Sequence, residues 1–230
     1  MEIRVVDFVE GARSARGVVV VIDVFRAFSV ACYAFSRGAK QVIPVGDIEK
    51  AFELRRRHTE ALLLGERGGK KLEGFDYGNS PTEIQELDLS GRTLIHTTHA
   101  GTQGLVNTVS AEVVFTGALV NAKATIRSVQ SLSPRVVTLV RMGLEATHNS
   151  DEDDLCAEYL ESLLLGKPFD TESLALRLRS SPFSQRFFDE DKPWSPASDF
   201  DLCVDVDRFN FAVQAEPTSD GELLLRPVYL

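Results

Sequence analysis

The sequence has no apolar run of membrane-spanning length, no apolar leader after Met1-Glu2-Ile3-Arg4, no low-complexity tract and no repeat at solenoid or propeller periods. These absences point to a cytoplasmic globular chain with no membrane partner. Cysteine is scarce. Cys32, Cys156 and Cys203 are odd in number, widely separated and set among apolar residues, which speaks against a disulfide framework or a zinc cluster. Basic residues are outnumbered, 25 Lys and Arg against 34 Asp and Glu, for a formal net charge of -9. That balance argues against nucleic acid or an anionic lipid surface as partner. An anionic small molecule stays compatible if a metal ion offsets the repulsion. Several chemistries are missing as well. There is no phosphate loop of the Gly-x-x-x-x-Gly-Lys-Ser/Thr type, no Gly-x-Ser-x-Gly elbow, and no second aspartate two residues after Asp23 to suit phosphoaspartate chemistry. His96 and His99 are too sparse for a metal cluster.

What is present is a strand–helix rhythm. With 230 residues, 43% of them hydrophobic, the chain has material for one large domain. Its centre is the stretch from Gly17 to Gly38. Val18 to Ile22 is short and β-branched, as a strand covered on both faces must be, and it runs through Asp23-Val24-Phe25-Arg26 into the apolar segment from Ala27 to Phe35, which reads as a buried helix. Further strands are expected at 3–8, 41–45, 61–64, 92–97, 112–116 and 135–141. Helices are expected from Asp47, Ser80, Thr102, Asn121 and Ser150, the last running to Leu165. Ser80-Pro81-Thr82-Glu83 is a capping box with proline at the first helical position. Residues 11–17 read as a turn. Such alternation implies a largely parallel sheet. Beyond Gly166 the order weakens, and 167–230 reads as a less regular extension of the single domain, with short strands at 202–206, 211–213 and 223–228 adding antiparallel edges.

Polar residues gather after the strand ends: Asp23 and Arg26, Glu66 and Arg67, Thr97 to Thr102, Asn121, and Glu152 with Asp153. In a parallel sheet those ends share one rim, where ligands bind. Carboxylates there suit a hard divalent cation, arginines suit phosphate oxygens, and helix amino termini favour anions. Each piece also has a structural reading. Asp23 can cap the following helix with Arg26 as its ion partner, and the acids from Asp151 to Asp154 can be the ordinary acid enrichment of a first helical turn. Phe183, Phe187, Phe188 and Trp194 read as a satellite core cluster, a lid or an oligomer contact.

The combination resembles the 2-phosphosulfolactate phosphatase family, also called ComB-like, over most of residues 1–166. The pieces that carry the resemblance are Ile22-Asp23-Val24-Phe25-Arg26-Ala27, Gly65-Glu66-Arg67, Gly74-Phe75-Asp76-Tyr77-Gly78-Asn79-Ser80-Pro81, the threonine-rich turn ending in Gly101-Thr102, Asn121, and Glu152-Asp153. The resemblance implies a three-layer α/β/α sandwich with a mixed sheet and a magnesium-dependent enzyme linked to coenzyme M synthesis. Two departures stand out. Ala100 replaces the asparagine usual before Gly-Thr, which removes a polar contact, and Val140-Arg141-Met142-Gly143 replaces small residues, which adds a positive charge near the site.

The expected function is therefore hydrolysis of a small phosphorylated hydroxy acid. Asp23, Glu66, Glu152 and Asp153 are the expected magnesium ligands, Asp23, Arg26 and Arg67 the catalytic groups, and Asn79, Ser80, Thr98, Gly101, Thr102 and Asn121 the substrate contacts. A homodimer is the expected assembly. The rival readings are a non-catalytic sensor of phosphate or carboxylate ligands and a purely structural subunit.

Overall fold

A computed structural model describes residues 1–230. In chain order it contains β1 (Glu2–Asp7), α1 (Phe8–Ser14), β2 (Val18–Ile22), α2 (Ala27–Ser36), β3 (Gln41–Pro44), α3 (Ile48–Arg57), β4 (Leu62–Arg67) and β5 (Lys70–Lys71). There follow α4 (Pro81–Gln85), β6 (Thr93–Thr97), α5 (Gly101–Asn107), β7 (Val113–Gly117), α6 (Ala122–Ser131), β8 (Val136–Arg141) and α7 (Asp151–Leu165). The last elements are α8 (Leu174–Arg179), α9 (Ala197–Cys203), β9 (Phe211–Pro217) and β10 (Leu223–Tyr229), with 3-10 turns at Leu119–Asn121 and Pro182–Phe187.

All five residues of β2 are buried. Val19 and Val21 enter one core with α2 and α5, whereas Val18, Val20 and Ile22 enter another with α6 and α7. The strand thus divides two helical layers, which is why its sequence shows no polar face. The ten strands form a mixed sheet in the order β1-β8-β2-β7-β9-β10-β3-β6-β4-β5, with helices on both sides. The α/β sandwich expected from the rhythm is present.

Three expectations are corrected. The C-terminal strands do not lie at an edge: the β9–β10 hairpin occupies the middle of the sheet, between β7 and β3. It joins two parallel blocks, β1-β8-β2-β7 and β3-β6-β4, and because each of its three junctions is antiparallel the blocks run in opposite senses. No strand forms at 202–206: Leu202 and Cys203 end α9, where Phe200 and Cys203 lie three residues apart and share a buried helical face, and Val204 to Val206 continue as a turn. The turn expected at 11–17 gives way to α1, whose Gly11 and Ala12 are small enough to pack closely.

Candidate active site

Since the blocks oppose one another, no single rim brings the polar residues together. Helix α5 does. It leaves β6 of one block and packs on β2 of the other at a glycine: a side chain at Gly104 would stand 2.5 Å from Met142 Sδ and 2.6 Å from Val21 Cγ1. This close seat holds the preceding residues over Asp23, so that a side chain at Gly101 would lie 2.6 Å from Asp23 Oδ2. Asp23, 6% exposed, follows β2 and accepts the Ala27 amide on Oδ1 at 3.0 Å. The expected cap on α2 is therefore real, yet Arg26 does not pair with Asp23.

The Arg26 guanidinium meets Asp199 of α9 at 2.5 Å, with both side chains almost wholly buried. It also donates to the carbonyls of Trp194 at 2.9 Å and Gly69 at 3.0 Å. Asp199 in turn accepts from the Ser80 hydroxyl at 2.7 Å and the Thr82 amide at 3.0 Å. The Phe25–Arg26 peptide bond is cis.

Glu66 ties two loops together, accepting the Gly69 amide at 2.7 Å and the His99 amide at 2.8 Å. Asp153 accepts the amides of Val24 at 2.9 Å and Gly143 at 2.8 Å, one on each oxygen, and so clamps the chain after β2 to the chain after β8. Its neighbour Glu152 keeps Oε2 buried and without a partner. Asn79 Oδ1 lies 3.1 Å from Nε2 of the buried His96. A carbonyl oxygen only accepts, so His96 donates from Nε2, and the Asn79 amide nitrogen keeps its donors.

Asp23, Arg26, Glu66, Asn79 and Glu152 line one cavity of about 120 Å³. His99, Ala100, Glu145 and Arg186 complete its polar wall. The volume suits a small acid and is well below the roughly 300 Å³ at which drug-sized pockets begin. The other expected residues lie outside the lining. Arg67 turns away to the Glu66 carbonyl at 2.7 Å, Thr97 Oγ1 at 3.0 Å and the Gly46 carbonyl at 3.3 Å. Thr98 and Thr102 bond each other reciprocally, each hydroxyl accepting the other's amide at 2.9 and 3.1 Å. Ser80 serves Asp199, and the Asn121 amide nitrogen donates to the Phe211 carbonyl at 3.3 Å. Arg141 adds no charge to the cavity, since Asp7 holds it at 2.7 Å and Asp154 at 3.0 Å.

Burial, acting first, pushes the carboxyl of Asp23 up, and the facing Glu66 adds to it while the Ala27 and Gly101 amides oppose. Burial likewise raises Glu152, against the pull of Arg186, and raises Asp153, where Asp23 and Glu152 reinforce the shift. Four carboxylates line the cavity against two guanidinium groups, and one of those is already paired with Asp199. This excess of negative charge, with the orphaned Glu152 Oε2, fits a hard cation such as Mg2+. No three His, Cys, Asp or Glu side chains form a ready-made cage for a metal ion.

Arg186 and Asp199 escaped the sequence reading. Both lie in the irregular C-terminal part, and neither has a local motif: Asp199 looks like an ordinary first-turn acid and Arg186 like one basic residue among phenylalanines.

The family model described as 2-phosphosulpholactate phosphatase matches residues 4–191. The chain belongs to the 2-phosphosulpholactate phosphatase family. Among curated relatives, the "Probable 2-phosphosulfolactate phosphatase" of Bacillus subtilis (strain 168) is 32% identical over 206 residues, covering 89% of this chain and 88% of the relative. The protein of the same description from Caldanaerobacter subterraneus subsp. tengcongensis is 35% identical over 205 residues, covering 84% and 85%. That of Carboxydothermus hydrogenoformans is 41% identical over 165 residues, covering 71% and 68%. The span matched to the 2-phosphosulpholactate phosphatase family includes Arg186 and stops short of Asp199 and the β9–β10 hairpin.

Proposed function

We propose that the chain is a phosphatase hydrolysing a small phosphorylated hydroxy acid, 2-phosphosulfolactate or a compound of similar size and charge, with Mg2+ as cofactor. The observation that carries this reading is the buried cavity in which Asp23, Glu66 and Glu152 face Arg186 and the Asn79 amide. One or two of Asp23, Glu66 and Glu152 would hold the ion directly and the remainder through its waters, with Asp153 fixing the loops behind them. When bound, magnesium polarises a phosphoryl oxygen and neutralises part of the charge that the acids and substrate share. The chain's own residues do the rest. Asn79, oriented by His96, donates to an oxygen of the substrate; Glu152 Oε2 accepts from water; Arg26, locked to Asp199, fixes the cavity wall. The buried, unpaired cysteines fit a cytoplasmic setting.

The test is release of inorganic phosphate from 2-phosphosulfolactate, phospholactate and phosphoglycolate in the presence of Mg2+. Turnover of at least one is expected, with loss on chelation. A protein that melts cooperatively and releases phosphate from none of them would overturn the reading. A rise in Tm with these ligands and no turnover would favour the binding-protein alternative, because ligand binding to the native state stabilises it by mass action.

A further inference from the structure

The two guanidinium groups of the cavity are not equivalent. Arg26 spends its donors inside the protein, on Asp199, Trp194 and Gly69. Arg186 makes a single hydrogen bond, from Nη2 to the Phe25 carbonyl at 2.9 Å. Its Nε is shielded from solvent and has no partner, and no carboxylate lies within ion-pair distance. An arginine carries five N–H donors in a rigid fork, so most of this one's capacity is unspent.

The head is nonetheless held in place. The Phe25 carbonyl anchors one end, and the Phe187 ring lies 5.0 Å from its central carbon. Phe187 itself packs edge-on against Phe25, with ring centres 4.9 Å apart, and is buried. The aromatic cluster of the C-terminal part therefore acts as a mount for Arg186 at the cavity wall. A shielded donor without a partner is costly unless something fills the place, and a planar fork matches the oxygens of phosphate, sulfonate or carboxylate in two-pronged fashion.

We propose that Arg186 is the substrate-binding cation of this site and takes an oxyanion group of the phosphorylated acid, while Arg26 is a positioning residue. This rests on the phosphatase reading of the cavity. It assigns substrate recognition to a residue outside the N-terminal motifs, delivered by the turn at Pro182–Phe187.

The experiment measures the Kd of inorganic phosphate in the presence of Mg2+, with KM, kcat and Tm, for wild type, Arg186→Lys and Arg186→Met. Expected is a rise of tenfold or more in phosphate Kd and in substrate KM for Arg186→Met, with Arg186→Lys intermediate and Tm changing by no more than a few degrees. The lysine variant retains charge and bulk and so reads out binding even if the methionine variant fails to fold. Phosphate Kd within twofold of wild type in a folded variant would overturn the assignment, as would a fall in kcat with Kd unchanged. Wild-type turnover alongside unaffected variants sinks this inference alone. A wild type that neither binds phosphate nor turns over any phosphorylated acid sinks it together with the reading on which it rests.

Discussion

Arg26 shows at the scale of one residue how far local reading reaches. Its chemistry, a planar cation in need of a carboxylate, is plain from the sequence, but the partner lies on α9, 173 residues away, where no local pattern can show it. The nearest acid in the chain is Asp23, and its carboxylate accepts the first amide of α2 instead. The consequence for stability is direct. Removing one member of a buried pair leaves the other charge stranded, which typically costs about 3–5 kcal/mol. Arg26→Met and Asp199→Asn should each show a loss of that order in urea unfolding. The double variant should lose much less than the sum, since no stranded charge remains. A strictly additive double variant would mean that the pair is not coupled. His96 supplies a pH signature. Burial, chiefly, pulls its imidazole from 6.5 down to about 4, so the unfolded chain takes up a proton that the folded chain refuses. Stability from this group is complete above pH 6.5 and is lost as the pH falls from 6.5 to 4, by about 3 kcal/mol across the window. In urea titrations, wild type should lose that much more than His96→Gln over the same range. Parallel pH profiles would contradict the buried neutral imidazole.

At the scale of elements, most strands and helices of the first 165 residues were legible because turn residues bound them and a hydrophobic period or a short β-branched run marks them. Of the α5 glycines, Gly101 reads in the sequence as a turn residue and substrate contact, and Gly104 as an ordinary position inside the expected helix. What they do depends on Val21, Met142 and Asp23, which belong to other elements. Alanine at Gly101 or Gly104 should gain up to about 1 kcal/mol in helix propensity. Contacts of 2.5 to 2.6 Å outweigh that gain, because overpacking costs about 1–3 kcal/mol. Gly104→Ala should therefore lower Tm, by several degrees. Gly101→Ala presses on Asp23 Oδ2 as well as on the buried Ala27 Cβ at 2.8 Å, so it should reduce phosphatase turnover at least tenfold in addition to lowering Tm. Equal effects of the two substitutions on turnover and Tm would show that α5 has no special relation to Asp23. α1 and α9 were missed for a different reason. Both are 7 residues long, too short for a helical period to stand out from a turn or a strand.

At the scale of the molecule, the alternation of strands and helices announced an α/β fold but could not announce the order of the strands, since register across a sheet is written in pairings between distant segments. The β9–β10 hairpin is the part hidden in this way. It meets β3 through a single registered pair, Leu225 with Val42, both buried. A charge at Leu225 would enter a dry seam between the two blocks, so Leu225→Asp should lower stability by several kcal/mol, on the order of 3 or more. Because the seam serves both blocks, wild type should unfold in one step. Fluorescence of the single tryptophan, Trp194, which lies beside Gly69 at the cavity, and far-ultraviolet circular dichroism should give superimposable urea transitions. Separate midpoints would mean that the blocks are independent units.

The same hairpin sets an order of events during synthesis. Ribosomes deliver the two parallel blocks first, and residues 211–229, which join them, emerge only after every acid of the cavity has been made. Until then each block presents an unpaired edge, β7 on one side and β3 on the other, and such edges invite pairing with a neighbouring chain. Nascent chains held just short of the hairpin should thus depend on chaperones that shield open strands, and they should acquire both protease resistance and phosphate binding in the interval after residue 229 clears the exit tunnel.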